Sequence, residues 1–110
     1  MDERKLEQEI RDSGAKAPRL NPDHIDACIV SEQYHVFPGT SLTVCALTLW
    51  NGFQVIGESA AVSIANFNPE IGRKIARENA RNKIWMLEGY RLRSALALEA
   101  GTPPPGVPLI

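Results

Sequence analysis

A chain of 110 residues has room for one modest hydrophobic core and therefore for one domain. Its 44% apolar and 23% charged residues are ordinary for a globular protein, and no run of about 18 apolar residues offers a membrane-spanning helix. A net charge of −1 argues against a domain that holds nucleic acid through overall basicity.

That near-neutral total hides an asymmetry. Between Asn68 and Arg93, Arg73, Lys74, Arg77, Arg81, Lys83, Arg91 and Arg93 stand against Glu70, Glu78 and Glu88. Between Arg19 and Phe67, Arg19 stands alone against Asp23, Asp26, Glu32 and Glu58. The basic stretch can attract an anionic ligand, dock on the acidic half of this chain or of a second copy, or form a solvated face.

Residues 1–18 are mostly charged, with only Leu6 and Ile10 at helical spacing and no apolar segment of a signal peptide. Two apolar residues cannot anchor a helix alone, so a flexible charged arm is expected unless a partner covers it. Asn21-Pro22-Asp23 then starts a helix expected to reach about Val30. The Asn side chain caps a free N–H, and Pro at the first position has none to leave unpaired. Ile25, Cys28 and Ile29 form its buried stripe, with His24 exposed in the first turn.

Gln33 to Phe37 has strand composition and ends at the Pro38-Gly39 turn. LTVCALTLW and FQVIGESA flank Asn51-Gly52, the preferred two-residue hairpin turn, because both central positions need positive φ. That turn pairs Trp50 with Phe53, Thr48 with Val55 and Cys45 with Glu58, which puts Glu58 on the apolar face with Cys45, Leu47, Leu49 and Ile56. The two cysteines, Cys28 and Cys45, read as buried, reduced thiols. With His24 and His35 they show no ligand-spaced pair, so neither a metal site nor a cofactor is expected.

Asn68-Pro69-Glu70 opens the dominant helix, which runs to about Ala100. At 100° per residue, Ile75, Ala76, Ala80, Ile84 and Leu87 gather on one side. Arg73, Lys74, Arg77, Arg81 and Glu88 fall opposite. Asn79 and Lys83 intrude on the apolar side, where Glu58 is the natural partner, because an unpaired carboxylate on an apolar face is costly. The cluster is either an internal tie or the lining of a pocket. In the pocket, Lys83 meets an anion and Glu58 accepts from a hydroxyl or amine. Trp85, Leu92, Leu96 and Leu98 on so long a helix need a covering surface, which implies a homo-oligomer. Residues 101–110 hold four prolines and read as a disordered tail after a single domain at 19–100.

The expected architecture is α+β: a small antiparallel sheet centred on the Asn51-Gly52 hairpin, packed against one long C-terminal helix, with a short N-terminal helix. No nucleophile elbow, phosphate-binding glycine loop or His/Cys cluster is legible, so the leading reading is non-enzymatic. Glu58 beside a lysine leaves proton transfer as the enzymatic alternative.

Two segments, IVSEQYHVFPGTSLTVCALTLWNGFQVIGESA and NFNPEIGRKIARENARNKIW followed by LEGYRLR, together resemble the gene forty-nine/gene sixty-six family of small tailed-bacteriophage proteins. The resemblance covers about Arg19 to Leu96. Residues matching its motif include Glu58, Ser59, Asn79, Lys83, Trp85, Glu88, Gly89 and Tyr90. The family's proline after the tryptophan is Met86 here, so the helix is expected to continue. What the resemblance implies is a phage accessory protein made in the host cytoplasm, without chemistry to carry over. The function expected is anti-defence: sequestration of a small anionic, nucleotide-type ligand such as an immune signal. Lys83, with Arg73, Arg77 or Arg81, would hold phosphate. Asn79 and Glu58 would read hydroxyls or base edges, and Trp50, Trp85 or Tyr90 would stack on a base. The alternatives are a module that inhibits a host protein and a weak nucleic-acid binder.

Overall fold

The computed structural model describes residues 2–106, so Met1 and the end of the expected proline-rich tail, 107–110, lie outside it. Three helices and three strands follow in the order α1 (Glu3–Asp12), α2 (Pro22–Ala27), β1 (Ile29–Val36), β2 (Thr43–Leu49), β3 (Gln54–Ser59) and α3 (Pro69–Glu99), with a single 3₁₀ turn at Ile64–Asn66. The strands form one antiparallel sheet in the order β1-β2-β3. The architecture is α+β, as the sequence predicts.

The capping signals act as read. Asn21 Oδ1 accepts from the His24 N–H at 2.9 Å, and Asn68 Oδ1 accepts from the Glu70 and Ile71 N–H groups at 3.0 and 3.3 Å. Pro follows each cap at the first helical position. α2 stops at Ala27 rather than near Val30, because β1 begins at Ile29, earlier than the expected Gln33. Residues 3–12 form a helix capped by Asp2, with none of its side chains buried.

The hairpin register is a correction. Gly52 alone takes positive φ, at +86°, while Asn51 does not. The Leu49 N–H donates to Phe53 O at 2.8 Å, and Asn51 Oδ1 accepts from the Phe53 N–H at 3.0 Å. The loop therefore spans three residues, Trp50 to Gly52, with the glycine as a bulge. The pairs become Thr48 with Gln54, Leu47 with Val55, Cys45 with Gly57 and Val44 with Glu58. A one-residue slip sends every side chain of a strand to the other face. Val55 and Gly57 turn inward, while Ile56 and Glu58 turn out.

Gly57 positions α3. A Cβ there would collide with the backbone of Ala76 and Ala80 and lie 2.8 Å from Ala80 Cα, so helix and strand meet backbone to backbone. Accordingly the buried stripe of α3 is Gly72, Ala76, Ala80, Ile84 and Glu88, spaced by four, with small residues where the sheet comes closest. Ile75, expected inside, is 45% exposed, and Glu88, expected outside, is 6% exposed. Ile25, Cys28, Cys45, Leu47, Leu49 and Val55 complete the core. α3 runs unbroken through Met86 and Gly89.

Candidate functional site

The basic face of α3 lies against the acidic half of the same chain. Arg77 Nε donates to Glu32 Oε2 on β1 at 2.6 Å. Arg81 Nε donates to Asp26 on α2 at 2.7 Å, and Arg81 Nη1 donates to both carboxylate oxygens of Glu3 on α1 at 2.7 Å. The Trp85 indole N–H donates to the same Glu3 carboxylate at 3.0 Å. Arg81 thus ties three helices together, and its guanidinium is held charged chiefly by Glu3. Reciprocally, Arg81 lowers the pKa of Glu3, with the indole adding to the effect against partial burial.

Between α1 and α3 a cleft of about 790 Å³ opens, and Lys74, Arg77, Glu78, Arg81, Asn82 and Trp85 form its α3 wall. Arg4, Asp2 and Glu3 reach it from α1. The volume suits a small organic ligand. Three of the residues singled out in sequence, Arg77, Arg81 and Trp85, are therefore brought together.

The others are not. Glu58 lies on the open face of the sheet, away from the core, for the register reason given above. Lys83 is exposed, and no Glu58–Lys83 ion pair forms among the described residues. Asn79 does reach Glu58, but its side-chain amide donates to the backbone carbonyl at 2.8 Å. That bond satisfies an acceptor on the edge strand β3. Arg73 is exposed, as is Tyr90 at 78%. Trp50 sits at the hairpin tip with the Arg91 guanidinium 5.3 Å from its ring centroid.

A second cluster escapes the sequence reading. Glu88 extends the buried stripe of α3 toward α2. Its Oε1 lies 2.7 Å from His24 Nε2 and accepts from the Cys28 thiol at 3.4 Å. Arg91 grips both Glu88 oxygens, Nε at 3.0 Å and Nη2 at 2.8 Å. This satisfies a carboxylate that would otherwise be too costly to bury. Arg91 above all, then His24 and Cys28, hold the Glu88 carboxyl down to about 2 against the effect of burial. Burial, reinforced by Glu88, pushes the Cys28 thiol up to about 11. The legible signal was the spacing of four between His24 and Cys28, which puts both on one side of a helical turn. The expectation that no such pair has ligand spacing is corrected here.

Helix, sheet and cleft define the class: a small α+β domain in which Arg77, Arg81 and Arg91 of the basic helix are paired with carboxylates of the same chain. The chain belongs to the phage protein (N4 Gp49/phage Sf6 gene 66) family, whose model matches residues 20–96. No curated protein and no solved structure matches it. No helix among the described residues is long and apolar enough to cross a membrane.

Proposed function

We propose that this phage protein is a non-enzymatic accessory protein acting in the host cytoplasm, where it binds and sequesters a small anionic, nucleotide-type ligand such as an immune signal. The ligand enters the cleft between α1 and α3. The observation that carries this reading is the Glu3 carboxylate, held by Arg81 and the Trp85 indole N–H with Lys74 and Arg77 on the same wall. Those donors already receive one anionic group from within the chain. A phosphate is a stronger acceptor for a guanidinium fork than a carboxylate on a helix with no buried side chains. The ligand therefore replaces Glu3, and Trp85 is placed to stack on a base.

The test is a thermal-shift screen of the full chain against mononucleotides, cyclic dinucleotides and ADP-ribose derivatives. Ligand at about 100 times its dissociation constant adds about 2.7 kcal/mol, a shift of several degrees for a domain of this size. A selective shift that Arg81→Lys abolishes is expected, since lysine keeps the charge and loses the fork. Absence of any shift, or a shift indifferent to Arg81→Lys, would overturn the reading.

A second reading, a protein-interaction module or homo-oligomer, is favoured by the exposure of Met86 at 75% and Leu98 at 53% on α3. It calls for a mass above that of one chain in light scattering, reduced to one chain by Met86→Glu with Leu98→Glu.

A further inference from the structure

His24, Cys28 and Glu88 bring one nitrogen, one sulfur and one carboxylate oxygen within 4.8 Å of one another. We propose that they form a three-ligand site for a zinc-class divalent metal, with the fourth position open to water or a small anion. The set mixes the three donor types that zinc takes in proteins, and three protein ligands with one open position is the pattern of its reactive sites.

The geometry carries the inference. With zinc–sulfur near 2.3 Å and zinc–nitrogen and zinc–oxygen near 2.0–2.2 Å, a tetrahedral site separates its ligand atoms by about 3.4–3.6 Å. Cys28 Sγ lies 3.4 Å from Glu88 Oε1 and 3.8 Å from His24 Nε2. Only the His24–Glu88 edge, now a 2.7 Å hydrogen bond, must open, by about 0.7 Å to reach the tetrahedral spacing. A metal takes the place of the protons that join these three atoms, so the thiol proton leaves to solvent on binding.

Arg91 supplies the supporting contact. It gives up its Nη2 bond to Oε1 and keeps Nε on Oε2, which fixes the carboxylate for single-oxygen ligation. Stacking over Trp50 restrains the guanidinium in that place. His24 and Glu88 also line a groove of about 280 Å³, together with Arg19, Leu20, Arg91 and Leu92. On that rim Arg19 is tied to Glu7 and Arg91 to Glu88. His24, with 38% of its side chain exposed, leaves a route for the ion to enter.

The experiment is titration of the reduced full chain with Co²⁺, followed by competition with Zn²⁺. One equivalent of cobalt is expected to give tetrahedral visible bands and a thiolate-to-cobalt charge-transfer band, both lost when zinc is added. Cys28→Ser should remove the charge-transfer band, and Cys45→Ser should leave it. His24→Gln changes a partly exposed residue, so the fold survives, and should weaken binding about tenfold or more. A wild-type spectrum without the charge-transfer band would overturn the proposal. So would a band that survives Cys28→Ser, or an affinity unchanged by His24→Gln.

Discussion

Glu3 and Arg81 stand 78 positions apart, yet the Arg81 Nη1 group donates to both Glu3 carboxylate oxygens at 2.7 Å. This contact, shared with the Trp85 indole, is what holds a helix without buried side chains against α3. Glu7 adds a second tie, to Arg19 at 2.6 and 2.8 Å. With so little apolar area at stake, α1 belongs to the part of the molecule that opens at low free energy.

The docking of α1 is expected to depend on acid pH. Arg81 lowers the Glu3 pKa from its ordinary 4.5, so the contribution of this carboxylate to stability is fully present above that value. It is lost as pH falls through the depressed folded-state value. Trp85 fluorescence in a Trp50→Phe background should therefore show a transition below pH 4.5 in the otherwise native chain. The Glu3→Gln variant should lack it. An identical transition in both would separate α1 docking from Glu3.

Gly57→Ala should be among the most damaging single-methyl additions to this fold. Backbone atoms of Ala76 and Ala80 occupy the space, so α3 must retreat from the sheet. Overpacking of this kind costs about 1–3 kcal/mol, and rigid backbone on the far side places the loss at the upper end. Urea denaturation would read it as a lower midpoint; an unchanged midpoint would mean that helix and strand are further apart than described.

The Glu58 neighbourhood separates backbone from side-chain roles. Asn79→Ala removes the donor to the Glu58 carbonyl and should cost about 1 kcal/mol. Lys83→Ala and Glu58→Gln alter exposed side chains and should stay within about 0.5 kcal/mol of the native chain. A double-mutant cycle between Glu58 and Lys83 should give a coupling near zero. A coupling above about 1 kcal/mol would restore the ion pair that the register excludes.

How far the fold can be read from sequence depends on the range of the signal. The caps at Asn21 and Asn68 are local, and each places its helix start correctly. The hairpin turn is local too, but Asn51-Gly52 suits a two-residue loop and a three-residue loop with a glycine bulge alike. The choice between them moved Glu58 from the core face to the open face. Ile75 and Glu88 went astray for a different reason. A helical wheel ranks residues by hydrophobicity, whereas close contact at Gly57 selects small side chains, which turns the buried stripe toward Gly72, Ala76 and Ala80. Glu88 then falls inside, where His24, Cys28 and Arg91 satisfy it, a meeting of α2 with α3 across some 60 positions that a helical wheel does not announce. At the cleft, Arg77, Arg81 and Trp85 were legible as a basic, aromatic run, but Glu3, the partner of Arg81 and Trp85, lay in the stretch expected to be a free arm.

The most direct test of the account is calorimetric titration of the native chain and the Glu3→Gln variant with inorganic pyrophosphate and with ADP-ribose. If Glu3 occupies the anion site, its removal frees the Arg81 Nη1 group and the Trp85 indole N–H, and at least one probe should bind about tenfold more tightly, a gain of about 1.4 kcal/mol. Equal or weaker binding by Glu3→Gln, or no heat with either protein, would contradict the claim that this cleft receives an anionic ligand.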